Sequence, residues 1–168
     1  MSDTTDTSDT TDTAAPTLHE HIVIDAPTDT VWALVADVTR MAGWSPQVTS
    51  TRLAEPDLPL GLGTRFTNRN VHGELAWTTH ARITQYDAGR RLSFRVEENW
   101  VTWSFEVTSA GDGTRLDQRR EAPEGISPVS RELTDAFMGG QEAFAATQVS
   151  GMRETLAAIK ATAEGSPA

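Results

Sequence analysis

The chain of 168 residues carries a formal charge of −10 and no cysteine. So acidic a surface excludes nucleic acid as a partner and disfavours an anionic membrane, because phosphate binding needs basic side chains. The missing cysteines remove disulfides, thiol nucleophiles and cysteine-ligated metals, which fits a cytoplasmic protein.

Residues 1–17 are mostly Thr, Asp and Ser, with Asp3, Asp6, Asp9 and Asp12 spaced every third position. Such a segment buries too little apolar area to offset its ordering entropy, so it is expected to be a disordered, solubilising tail. A calcium loop would want a glycine at the turn and a closing Glu. There is no basic start followed by an apolar core, so no signal peptide is expected. No run reaches the ~18 apolar residues of a membrane span, and no stable membrane insertion is expected. Leu18 to Asp25 alternates as a strand, with Leu18, Glu20, Ile22 and Ile24 on one face and His19, His21 and Val23 on the other. The two histidines lack a third ligand at metal-site spacing and read as solvated strand residues; neither metal nor cofactor is expected.

Pro27 suits the first position of a helix whose buried face is Val31, Trp32, Leu34 and Val35. Asp37 and Thr39 break it, and Val38 to Trp44 forms a second short helix stopped by Ser45-Pro46. Strands then follow over Gln47 to Glu55, Thr64 to His72, Leu75 to Gln85, Arg91 to Glu97, Trp100 to Thr108 and Thr114 to Glu121. Their turns carry Gly73, Asp87-Ala88-Gly89, Glu98-Asn99 and Gly111-Asp112-Gly113, while Pro56, Pro59, Gly61 and Gly63 make an irregular loop. Clean alternation in the middle strands says that one face is wet, and successive hairpins argue against a parallel sheet. The run from Ser130 to Ala163 reads as one long helix with Phe137, Phe144, Met152, Leu156 and Ile159 on its inner face. It is the available cover for the apolar face of the sheet. Residues 18–163 are thus one domain, and 164–168 a disordered C-terminus.

This order resembles the START-like, or SRPBCC, superfamily, in its branch called polyketide cyclase/dehydrase and lipid transport. The matching residues are Ile24-Asp25-Ala26-Pro27, Val31 to Asp37, and Arg40-Met41 through Trp44-Ser45-Pro46. Gly63-Thr64-Arg65-Phe66, Trp103-Ser104-Phe105 and Gly113-Thr114-Arg115-Leu116 fit the later strands. The resemblance implies an α+β helix-grip fold: a seven-stranded curved antiparallel sheet around a long C-terminal helix, with two short helices between strands one and two. It also implies an apolar ligand in a cavity between sheet and helix.

Alternation directs Trp77, Phe94, Trp103 and Phe105 inward, with Phe137 and Phe144 facing them from the helix. Asn68, Asn70, Thr79, Gln118, Arg120, Gln141 and Gln148 join them as inward polar positions. Polar side chains on inward positions either rim an open cavity for an amphipathic ligand or bond one another across a closed interior. The mouth is expected near the Pro56–Gly63 loop and the start of the long helix. Trp32 and Trp44 are expected to be structural. Three functions remain open: carriage of a hydrophobic small molecule, a polyketide cyclase or dehydratase, and a protein-interaction module with a filled interior. An enzyme needs a positioned acid or base, and the sequence shows no nucleophile elbow, paired carboxylates, phosphate loop or zinc motif.

Overall fold

The fold, seen in a computed structural model, is described for residues 16–165. Most of the expected N-terminal tail therefore lies outside the described residues, as do residues 166–168 of the expected C-terminal one. Seven strands form one antiparallel sheet in the order β1-β7-β6-β5-β4-β3-β2. They are β1 (Leu18–Ile24), β2 (Val48–Leu53), β3 (Arg65–His72), β4 (Leu75–Asp87), β5 (Arg91–Val96), β6 (Thr102–Ala110) and β7 (Gly113–Glu121). Every strand from β2 to β7 is hairpin-linked to the next, and β1 closes the order by pairing with β7. Register irregularities between Val48 and Ser50 in β2, and between Ile83 and Gln85 in β4, bend the sheet. Helix α1 (Thr28–Val35) and a 3-10 helix (Val38–Gly43) fill the crossing from β1 to β2. Pro27 is the N-cap of α1 rather than its first helical residue, with ψ 152.

The long C-terminal run is two helices, not one: α2 (Pro128–Phe137) and α3 (Gln141–Ala163). Gly139 and Gly140 separate them at φ 78 and φ 94, a backbone that side-chain-bearing residues rarely adopt. The apolar periodicity passed over this Gly-Gly pair because Phe137 and Phe144 happen to stand seven residues apart. Helix α3 alone is the long helix that the sheet wraps.

The core occupies one end of that wrap. Met152, Leu156 and Ile159 of α3 are buried, and the last two pack with Val31, Leu34 and Val35 of α1 and with Phe105, Val107 and Leu116 of the sheet. A second cluster joins Val38 to Phe66, Ile83, Leu92 and Phe94. Leu60 packs there too, so the Pro56–Gly63 loop closes the core end. Gly63 donates to the Ile83 carbonyl and Ile83 to that of Thr64, both at 2.9 Å, which ties the loop down. The α1 corner sits tightly on β7: Thr114 Oγ1 donates to the Ala26 carbonyl at 2.7 Å, and a Cβ on Gly113 would overlap the Ile24 carbonyl oxygen. Glu164, expected in the C-terminal tail, accepts a hydrogen bond from the Asp25 amide at 2.8 Å.

Candidate functional site: an interior cavity

At the other end of the wrap, the N-terminal half of α3 and all of α2 stand off the sheet. Between them lies a cavity of about 850 Å³, within the usual range for small-molecule sites. The filled interior that an interaction module requires is therefore not present. Strand pairing builds the wall row by row. Phe94 faces Trp103, and Trp103 faces Arg120, so β5, β6 and β7 carry one continuous row. Phe105 and Gln118 form the next, which Leu92 continues into the core. On the far strands Asn68 pairs with Thr79 and Asn70 with Trp77. Phe144 and Gln148 approach from α3. All of the inward positions named from the sequence line this space, Phe137 and Gln141 included.

Phe137 and Gln141 reach it differently from expectation. The Gly-Gly break puts them on separate helices, and both are exposed. Phe137 is 62% exposed, Leu133 51% and Val129 65%, yet all three border the cavity. They form an apolar stripe on α2 at the rim. The mouth accordingly lies at α2, the β3–β4 turn at His72 and Gly73, and the Glu98-Asn99 turn. No residue of the Pro56–Gly63 loop lines it, because register carries that loop to the core end. Helix α2 is latched at its start: Ser127 Oγ and Ser130 Oγ both donate to the Glu98 carbonyl, at 2.6 and 3.3 Å.

The polar side chains fall into two groups. Asn68 accepts from Thr51 Oγ1 at 2.6 Å and approaches Met41 Sδ through Nδ2. Asn70 Nδ2 donates to Thr79 Oγ1 at 3.0 Å, and Gln148 Nε2 to Gln47 Oε1 at 3.4 Å. These are closed local pairs along the wall. Gln118 and Arg120 are different. Gln118 is 5% exposed and its Oε1 is buried without a partner. Arg120 is 8% exposed, its guanidinium 5.9 Å from the Trp103 ring and 5.8 Å from that of Phe144. Burial pushes its pKa down to about 10, so it stays a cation at neutral pH.

Trp44, expected to be structural only, lines the cavity, and its indole N–H is buried without an acceptor. The short-helix pattern ending at Ser45-Pro46 concealed this, because a residue closing a helix next to a sheet reads as packing. Trp32 packs in the core against Tyr86, edge-on at 5.6 Å. Among the titratable wall residues, Asp37 caps the 3-10 helix through the Thr39 amide at 3.1 Å, and Glu98 binds the His80 amide at 2.8 Å. His72 also lines the wall. Among the described residues no cluster of three or more His, Cys, Asp or Glu side chains is placed to hold a metal. On the outer face, His19 is not simply solvated: its Nε2 lies 2.7 Å from Asp117, which also accepts from Arg115 at 3.0 Å. No helix among the described residues is long and apolar enough to cross a membrane.

A curved antiparallel sheet gripping a helix over an apolar cavity defines a helix-grip protein with an interior ligand site. Residues 15–164 match the model of the family described as polyketide cyclase/dehydrase and lipid transport, and the chain belongs to that family. No curated protein sequence matches it. Among solved structures it resembles the di-domain aromatase/cyclase StfQ of the steffimycin biosynthetic pathway, with TM-score 0.70 and 16% identity, over 89% of this chain and 50% of that one. The Zhui aromatase/cyclase of Streptomyces sp. R1128 gives TM-score 0.67 and 17% identity, over 89% and 93%. A polyketide-cyclase-like protein of Corynebacterium glutamicum gives TM-score 0.55 and 29% identity, over 86% and 88%. The chain thus spans half of the two-domain protein and about nine-tenths of each single-domain one.

Proposed function

We propose that this protein binds and carries a hydrophobic or amphipathic small molecule, lipid- or polyketide-like, in the cavity between the sheet and α3. The observation that carries the reading is the division of α3. Leu156 and Ile159 seal the core, while Phe144, Gln148 and Met152 stand over an 850 Å³ space walled by Trp77, Phe94, Trp103 and Phe105. The wall is aromatic with a few polar groups, the composition of a site that holds an apolar body and orients it. The ligand's contacts in this reading are the wall residues named from the sequence, with Trp44 added. Uptake of the neutral dye Nile red tests it. Saturable 1:1 binding is expected, and Thr147→Trp, which drives an indole into the space from α3, is expected to abolish it without unfolding the protein. Absence of uptake, or uptake indifferent to Thr147→Trp, contradicts the reading.

A second reading, cyclase or dehydratase action on the same ligand, is favoured by one observation: His72 lines the cavity near its mouth, and such chemistry needs a base beside the substrate. It requires turnover that His72→Gln abolishes while Nile red still binds.

A further inference from the structure

Arg120 is the group in the cavity that the apolar reading leaves unexplained. A guanidinium in the interior is ordinarily paired, because burying a charge without a counterion is costly. Arg120 is 8% exposed, and among the described residues its side chain forms neither an ion pair nor a hydrogen bond. Two of the carboxylates near it in the sheet are engaged elsewhere. Glu20, opposite Gln118 on β1, is paired with Arg153 at 3.3 Å. Asp117, next but two along β7, is on the outer face with Arg115 and His19. Glu142 borders the smaller pocket of about 360 Å³ that Arg120 also lines, but makes no ion pair with it. What Arg120 does have is two aromatic rings, Trp103 and Phe144, whose centroids lie 5.9 and 5.8 Å from its guanidinium carbon, contacts that do not use its N–H groups. Gln118, two residues back on the same face of β7, has a side chain with no hydrogen bond among the described residues, and its Oε1 is buried. The guanidinium, with no carboxylate on its N–H groups, and the Gln118 amide both line the main cavity.

We propose that the ligand is an amphipathic acid whose carboxylate docks on the N–H fork of Arg120, with the apolar body lying along Phe94, Trp103 and Trp77. This rests on the small-molecule reading above and names its ligand class. A planar carboxylate matches the fork with two parallel hydrogen bonds. One cation also matches one negative charge, whereas a phosphate monoester would bring about two to a site with a single facing cation. The long-range field of a chain with formal charge −10 repels anions, so acid selection here is local, made by desolvated contacts at Arg120.

The test compares 1-pyrenebutyric acid with its methyl ester, by fluorescence titration of the full chain at pH 7. The acid is expected to bind ~10- to 100-fold tighter, the range for a buried hydrogen-bonded charge. Arg120→Met is expected to abolish the preference, bringing the ratio of acid to ester affinity to about one. Equal binding of acid and ester by the wild type overturns the proposal and leaves the cavity reading standing. Binding of neither overturns both. Retention of the acid preference by Arg120→Met removes Arg120 from the role. The wild-type comparison needs no variant, so the proposal remains falsifiable if Arg120→Met fails to fold.

Discussion

Replacing Gln118 by Met separates an open cavity from a closed polar interior. In a closed network, removing a buried amide strands its partner and costs about 1–3 kcal/mol. Gln118 has no partner to strand: its Oε1 is buried and unbonded, and its neighbours across the sheet are Phe105 and Glu20, the latter paired with Arg153. Methionine has nearly the same length and reach, so no void is opened. The unmet desolvation of one amide oxygen, ~1–2 kcal/mol, disappears. Urea unfolding followed by circular dichroism is expected to show stability unchanged or raised by up to about 2 kcal/mol, with the same m-value. Asn70→Leu supplies the contrast. The Asn70 Nδ2 holds Thr79 Oγ1 at 3.0 Å and the Trp77 carbonyl at 3.4 Å, and its loss is expected to cost about 1–3 kcal/mol. A loss above about 1 kcal/mol for Gln118→Met would refute the argument, because it would mean that the amide is satisfied in the folded protein.

Three further outcomes are expected. Burial alone would raise the Asp117 pKa, but its hydrogen bonds from Arg115 and His19 outweigh this and hold it below the usual carboxylate value. A depressed folded pKa stabilises above the unfolded value, and that stability is lost as pH falls through the folded one. Asp117→Asn should therefore lower stability by about 1–3 kcal/mol at pH 7, with the gap to wild type closing below about pH 4 in urea titrations. Gly140→Ala places a Cβ at φ 94 between the two helices, and a loss of ~1 kcal/mol or more in thermal unfolding is expected. Gly151→Ala lies inside α3, where the new Cβ meets Pro46 Cγ at an ordinary 3.5 Å; a gain of up to about 1 kcal/mol is expected from helix propensity.

Strands such as β4 were legible because burial reproduces the two-residue alternation, as in Leu75 to Ile83, where Ala81 and Ile83 are buried and His80 and Arg82 exposed. The wall followed from the same rule, since alternation alone sends Asn68, Asn70, Gln118 and Arg120 to the side of Phe66 and Leu116. The helix break was legible in principle: Gly139-Gly140 is a strong punctuator, overridden by a seven-residue spacing of phenylalanines that has no meaning across a break. What sequence could not supply was depth along the strands. Which end of the sheet holds the core and which the cavity depends on register, so the Pro56–Gly63 loop was assigned to the mouth. Trp44 was missed for a related reason, because a residue in a short helix gains its role from what the neighbouring sheet leaves unfilled. Nor does alternation distinguish the paired Asn70 from the unpaired Gln118, because pairing is decided by side chains on adjacent strands.

The central claim, that the cavity takes up a small molecule, is tested most directly by the indole N–H resonances of the five tryptophans. Trp44, Trp77 and Trp103 line the cavity, whereas Trp32 and Trp100 do not. In a nitrogen–proton correlation spectrum at saturating 1-pyrenebutyric acid, the account predicts shifts for Trp44, Trp77 and Trp103, with Trp32 and Trp100 essentially unmoved. Five unmoved signals, or shifts confined to Trp32 and Trp100, would contradict it.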